Sequence, residues 1–279
     1  MIIDFHTHVF PPRVKQKRSQ YIDRDPCFAL LYAKKEAKIA TTEELIESMD
    51  QAGIDISVIV NLGWITHELC VETNDYILES IARYPKRLIG FCTVQPQSLN
   101  AAIAEIERCA QGGARGIGEM RPDMQLLDLG DDPIITPFMT AIKQHRLIFL
   151  THASEPAGHD YPGKGIITPD ILYPFITTHP DVTIVCAHWG GGLPFYALMP
   201  EVQKALQNVY FDTAASPFLY QPQIYTLVSQ LVGADKILFG SDYPLLPQTR
   251  LLQEINSAAL TEEEKRLITG ENARKLFGI

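Results

Sequence analysis

The sequence predicts an α/β protein folded as a (β/α)8 barrel, the TIM-barrel architecture, in one domain over residues 1–279. Three observations predict it. Eight short, β-branched apolar runs recur along the chain, each followed by a segment of helical spacing. Near-continuous runs such as ISVIV and VTIVCA suit strands buried on both faces of a parallel sheet. Residues of metal-binding type stand at the ends of these runs, where such a barrel assembles its chemistry.

The eight strand candidates are Ile2–His6, Ile56–Asn61, Leu88–Val94, Ala114–Met120, Leu147–His152, Val182–His188, Val209–Thr213 and Ile237–Asp242. Between them, Thr42 can cap a helix whose Leu45, Ile46 and Met49 share one face. Ile77, Ile81 and Tyr84 form a second stripe, and Ile103, Ile106 and Ala110 a third. Gly53, Gly112 and Gly113 close two of these helices as C-caps. An open doubly wound sheet shares this alternation, but its GxGxxG after the first strand is missing. The first strand ends instead in His-Thr-His.

Hydrophobic residues make up 46% of the 279 and charged residues 20%, enough apolar surface for a large core. The formal charge of −9 argues against a protein that binds nucleic acid by neutralising phosphates. No apolar run reaches the roughly 20 residues that cross a bilayer. The start, Met-Ile-Ile-Asp-Phe-His, lacks the basic and apolar regions of a secretory leader. The five cysteines are scattered, with no CxxC pair, and are expected to be reduced thiols in a cytoplasmic protein. The sequence leaves association into a homo-oligomer open.

His6 and His8 sit at i and i+2, so on a strand both imidazoles face one side and can serve one ion. His152 in LTHAS and Asp242 in LFGSDYP complete an N3O set suited to Zn2+. His188, before a run of three glycines, is a candidate catalytic histidine, because imidazole titrates in the useful range. Glu119 in GIGEMRP can bridge a second metal, bind substrate, or pair with Arg115 or Arg121. Arg121 is a candidate to grip a substrate carboxylate, since its guanidinium fork matches that group. His159 and His67 lie in loops on the same face, and His159 is taken as a substrate contact. His145 and His179 precede strands and read as structural. The basic cluster Arg13 to Arg18 is a solvated face, or a lure for an anionic substrate.

At these residues the sequence resembles the amidohydrolase-related family, in the branch that contains aminocarboxymuconate-semialdehyde decarboxylase-like proteins. DFHTHVFPP, LTHAS, AHWGGG, LFGSDYP and the closing ENARKLFGI carry the resemblance, which spans Ile3 to Ile279. It implies a single Zn2+ on His6, His8, His152 and Asp242, with His188 as the catalytic histidine. Glu119 is a departure that resembles superfamily branches with two metals.

The expected function is hydrolysis of a small amide, lactone or ester. The ion would lower the pKa of a bound water from about 15.7 towards roughly 7, and Asp242 would take its proton. Zinc-dependent, non-oxidative decarboxylation of an unsaturated or aromatic acid is the runner-up with the same residues. A binding protein that has kept the barrel and lost turnover is a third reading, disfavoured by the intact set of strand-end residues.

Overall fold

The computed structural model describes residues 1–130 and 133–279. Eight strands appear in chain order: β1 (Ile3–His8), β2 (Ile56–Val60), β3 (Leu88–Cys92), β4 (Gly116–Met120), β5 (Ile148–Thr151), β6 (Ile184–Cys186), β7 (Val209–Asp212) and β8 (Ile237–Leu238). Each is parallel to the next, in the order β1 to β8. The last strand returns to the first through Phe5 N–H to Phe239 O (2.7 Å), Asp242 N–H to His6 O (2.9 Å) and His8 N–H to Tyr243 O (2.7 Å). Helices fill the connections, so the architecture is a (β/α)8 barrel.

Two apolar layers follow from the pleat. Ile3, Phe5, Val58, Val60, Phe91, Ile148, Leu150, Val185 and Leu238 pack together inside the barrel. Phe277 of the last helix, Asn272–Phe277, plugs its floor, stacked 5.5 Å from Phe5. Asn272 secures that helix by donating to the carbonyls of Ala234 and Ile237, both at 2.8 Å. The alternate strand residues, among them Ile59, Ile117, Phe149, Ile184 and Phe211, meet Leu45, Met49, Ile77 and Ile106 of the outer helices.

Local details differ from the sequence reading for identifiable reasons. The cap of helix Thr42–Ala52 is Thr41, not Thr42. Thr41 has extended backbone and forms a reciprocal box with Glu44, while the Thr42 hydroxyl meets Ser80 at 2.7 Å. β1 runs on to His8, two residues beyond its expected end. β6 stops two residues before His188 and β8 four before Asp242, and those two residues, with φ of 55° and 62°, lie outside strand geometry. All five cysteines are buried and free. Among the described residues, no helix is long and apolar enough to cross a membrane.

Candidate metal centre and active site

Strict alternation along β1 would turn Asp4, His6 and His8 away from the interior that holds Ile3 and Phe5. Asp4 obeys it, accepting from Gln248 of the outer helix Gln248–Ser257 at 2.7 Å. The β1–β2 register then slips between Asp4 and Thr7. Beyond the slip the His6 ring points into the barrel mouth. β4 repeats the device, with a slip between Ile117 and Met120 that turns Glu119 inward. Irregularities of this kind re-aim side chains beside active sites. Gly118 has φ of +151°, and a Cβ there would collide with the carbonyl of Leu150. Asn61, at the end of β2, clamps the turn by accepting from Glu119 N–H (3.0 Å) and donating to Gly118 O (3.2 Å).

His6, His8 and Asp242 form one group. The two Nε2 atoms are 3.1 Å apart, and Asp242 Oδ1 lies 3.3 Å from that of His8 and 4.0 Å from that of His6. Glu119 Oε2 stands 3.7 Å from His6 Nε2 and 3.6 Å from His8 Nε2. Donors about 2.1 Å from one ion lie roughly 3.0–3.4 Å from each other, so this N2O2 set fits a divalent cation after small adjustments. Glu119 Oε1 faces a second group, 2.8 Å from His152 Nδ1 and 3.2 Å from His188 Nε2. Glu119 therefore joins two sets of donors, His6–His8–Glu119 and Glu119–His152–His188, each within 4.8 Å internally, with Asp242 beside the first. His152, expected beside His6 and His8, belongs to the second.

Supporting groups fix the rings. Asp212 at the end of β7 accepts from His6 Nδ1–H at 2.8 Å, which leaves the Nε2 lone pair for the centre. Its other oxygen accepts from the backbone N–H of His188, also at 2.8 Å. Sequence reasoning missed Asp212. The available signal was an acidic residue near the end of one of the three strands whose ends had been given no role. Ser154 Oγ lies 3.1 Å from His152 Nε2 and accepts from Gly165 N–H. His188 Nδ1 meets the carbonyl of Ala214 at 3.2 Å, so Nε2 is the nitrogen turned to the site.

Charge is distributed unevenly over these rings. Burial disfavours charge on Glu119, but His152, His188 and His6 outweigh it and hold the carboxyl well below its usual range. The Asp242 carboxyl, likewise opposed by burial, falls to about 2 beside His8 and His6. Burial and then the Arg121 charge depress His152 to about 4, despite Glu119. Burial opposes charge on His188 too, yet Glu119, Asp242 and Asp212 raise it to about 9.

The remaining candidates are placed as follows. Arg121 is buried, and two of its nitrogens grip Asp123 at 3.0 and 3.2 Å. It does not pair with Glu119, and Arg115 bonds the carbonyl of Phe277 instead. His159 is exposed, its ring against Tyr161, and belongs to neither donor group. His67 begins helix His67–Arg83, while His145 and His179 end helices. Within the basic cluster, Arg13 pairs with Glu72, Lys15 with Glu44, and Arg18 binds carbonyls including those of Tyr32 and Lys34. Those contacts tie down the short helices after β1.

The shared carboxylate has a direct test. If Glu119 bridges two ions, Glu119→Gln lowers bound metal from near two per chain to near one by elemental analysis. An unchanged count returns Glu119 to electrostatics alone.

Comparison with known proteins bears on the chemistry. The chain is 26% identical over 254 residues to the gamma-resorcylate decarboxylase of Rhizobium radiobacter, covering 75% of this chain and 76% of that one. It is 22% identical to the 2-amino-3-carboxymuconate-6-semialdehyde decarboxylase of Dictyostelium discoideum, over 99% of this chain and 91% of that one. Among solved structures, a mutant 5-carboxyvanillate decarboxylase of Novosphingobium aromaticivorans superposes with a TM-score of 0.80 at 18% identity. The match covers 100% of this chain and 97% of that one, which holds manganese and 3-methoxy-4-hydroxy-5-nitrobenzoic acid. These relatives overturn the expectation of a hydrolase and favour the runner-up, because a shared donor set had been read for the wrong reaction. The amidohydrolase family model matches residues 3–279, and this chain belongs to that family, in its branch of decarboxylase-like proteins.

Proposed function

We propose that the protein is a divalent-metal-dependent, non-oxidative decarboxylase of a hydroxy-substituted aromatic acid. The observation that carries this reading is the place of His188, whose Nε2 faces the site 3.2 Å from the carboxylate that also flanks the His6–His8–Asp242 donors. Hydrolysis asks for a base beside the ion, whereas loss of CO2 asks for an acid that can protonate carbon. His188 suits the second. The names of the three relatives described above, each a decarboxylase, support the same choice.

His6, His8, Asp242 and Glu119 would hold the ion, and His188, as the proton donor, stays unligated. Zn2+ and Mn2+ both accept such nitrogen and oxygen donors. When bound, the ion supplies positive charge that orients the substrate's anionic oxygens and offsets their charge. The residues do the rest. His188 Nε2–H gives its proton to the ring carbon bearing the carboxylate. The C–C bond then breaks, its electron pair restores the aromatic ring, and CO2 leaves. The Ala214 carbonyl keeps the His188 ring oriented, while Asp242 and Glu119 stabilise its charged form. Nη1 of Arg121, the nitrogen not engaged by Asp123, remains for a substrate oxygen.

The test is CO2 release from a panel of hydroxybenzoic acids, before and after chelation. The expected result is activity lost with the metal and restored by Mn2+ or Zn2+. CO2 release indifferent to chelation, or turnover confined to lactones and amides, would sink the proposal.

A further inference from the structure

Two neighbouring stretches of the chain carry no acidic or basic side chain. After β6, residues 187–200, and after β7, residues 213–234, contain no Asp, Glu, Lys or Arg, although such residues make up 20% of the protein. The fold packs the two stretches together. Trp189, next to His188, donates through Nε1–H to Ser216 Oγ at 2.6 Å and packs edge-on against Tyr225, with centroids 5.4 Å apart. Phe195 meets Tyr220 at 6.2 Å, and helix Ile224–Val232 lies on the short helix Leu193–Leu198. Their inner side belongs to the core. On the outer side Leu198 is 80% exposed, and Phe195, Tyr196, Met199, Phe218 and Leu227 are each 42–49% exposed. These six are nearly half of the thirteen large hydrophobic residues exposed among the described ones. Arg250, 5.8 Å over the Phe218 ring, stands at the edge.

At roughly 150–250 Å² for a large side chain in the open, the six present about 600 Å² of apolar surface. The largest patch on a monomer is about 300–600 Å², and each partner in a stable complex covers about 800 Å², somewhat over half of it apolar. The area therefore matches one side of a protein–protein interface. We propose that this face, the outer side of the connections after β6 and β7, is the contact through which two copies of the chain form a two-fold symmetric dimer. Charge selects the occupant. Each copy carries a formal −9, so a second copy is repelled over the rest of the surface and approaches where charge is missing. A basic partner finds no acidic side chain within either stretch. A membrane-binding face sets Lys or Arg beside its apolar side chains, and neither stretch has one. An apolar face needs no opposite charge to meet its own copy, and a two-fold axis brings the same patch together from both sides. The proposal goes beyond the decarboxylase reading and does not rest on it.

The experiment is analytical sedimentation of the whole protein, with the chain mass of 31.2 kDa as the unit. Because it reads mass and not turnover, its failure is distinct from failure of the decarboxylase reading. Interfaces of this size hold at micromolar concentrations or below, so the protein at about 10 µM should sediment as a dimer. Leu198→Glu and Phe218→Glu each set like charges against one another across the two-fold axis. Each should raise the dimer Kd by about 100-fold or more and leave a folded monomer, checked by thermal unfolding. Leu99→Glu alters an equally exposed leucine after β3, on the far side of the barrel, and should stay dimeric. Should a glutamate variant fail to fold, the double serine variant at 198 and 218 takes its place and should still weaken the dimer by at least about tenfold. A wild-type monomer at about 100 µM overturns the proposal. So does a dimer that survives both charged variants, or one that Leu99→Glu splits as readily. A wild-type monomer that floats with phosphatidylcholine vesicles, and no longer does so as Leu198→Glu, gives the face to a lipid surface and overturns it too.

Discussion

His188→Asn is expected to lower kcat for CO2 release by about 10^2 to 10^4-fold, the usual contribution of a positioned acid. At 1.36 kcal/mol per decade this is roughly 3–5 kcal/mol of barrier. Metal content and the unfolding midpoint should stay near those of the parent. Asparagine suits the comparison because it tolerates the left-handed backbone that His188 adopts, at φ 55°. Asp242→Asn, likewise at a left-handed position, should reduce kcat as far and also loosen the metal, since a neutral amide is a weaker ligand. The two variants separate the roles. If His188→Asn loses its metal while Asp242→Asn retains it, the assignments are reversed.

Replacing His6 and His8 together by alanine should remove metal retention and, with it, activity. The two Nε2 atoms are 3.1 Å apart and have no substitutes on β1. The change also leaves Asp212 Oδ2 without its buried imidazole partner, at a cost of about 1–3 kcal/mol. For a chain this long that is on the order of 2–12 °C in Tm. Glutamine at both positions preserves more volume and separates loss of metal from loss of fold. Elemental analysis showing parental metal in the folded glutamine pair would remove β1 from the site.

Much of this was legible in the residues. The His-x-His spacing correctly implied two rings on one side, and the strand-end rule brought His6, His8, Glu119, His152, His188 and Asp242 to one face. The spacing could not say which side the rings would take. That depends on register slips in β1 and β4, which arise from pairing between distant strands and leave no local pattern. Asp212 was missed because its work is done through His6 and the His188 amide, contacts that exist only once the barrel has closed. Glu119 was given too little weight for a related reason. Its two oxygens face different donor groups, and one sequence position cannot reveal that. The choice of reaction was the deepest gap, since acid and base roles for the same histidine differ only in the charges folded around it.

The left-handed backbone at His188, Trp189, Ala215 and Asp242 has a consequence for anyone who would make this protein more durable. Each such L-residue costs about 1–2 kcal/mol relative to an unstrained conformation. Glycine would relieve that strain. A selection scored on heat resistance alone would therefore be drawn to the positions of the proposed acid and the proposed metal-binding carboxylate. The hardiest descendants would be handsome barrels that no longer turn anything over, so screens for robustness in this scaffold must carry an activity gate at every round.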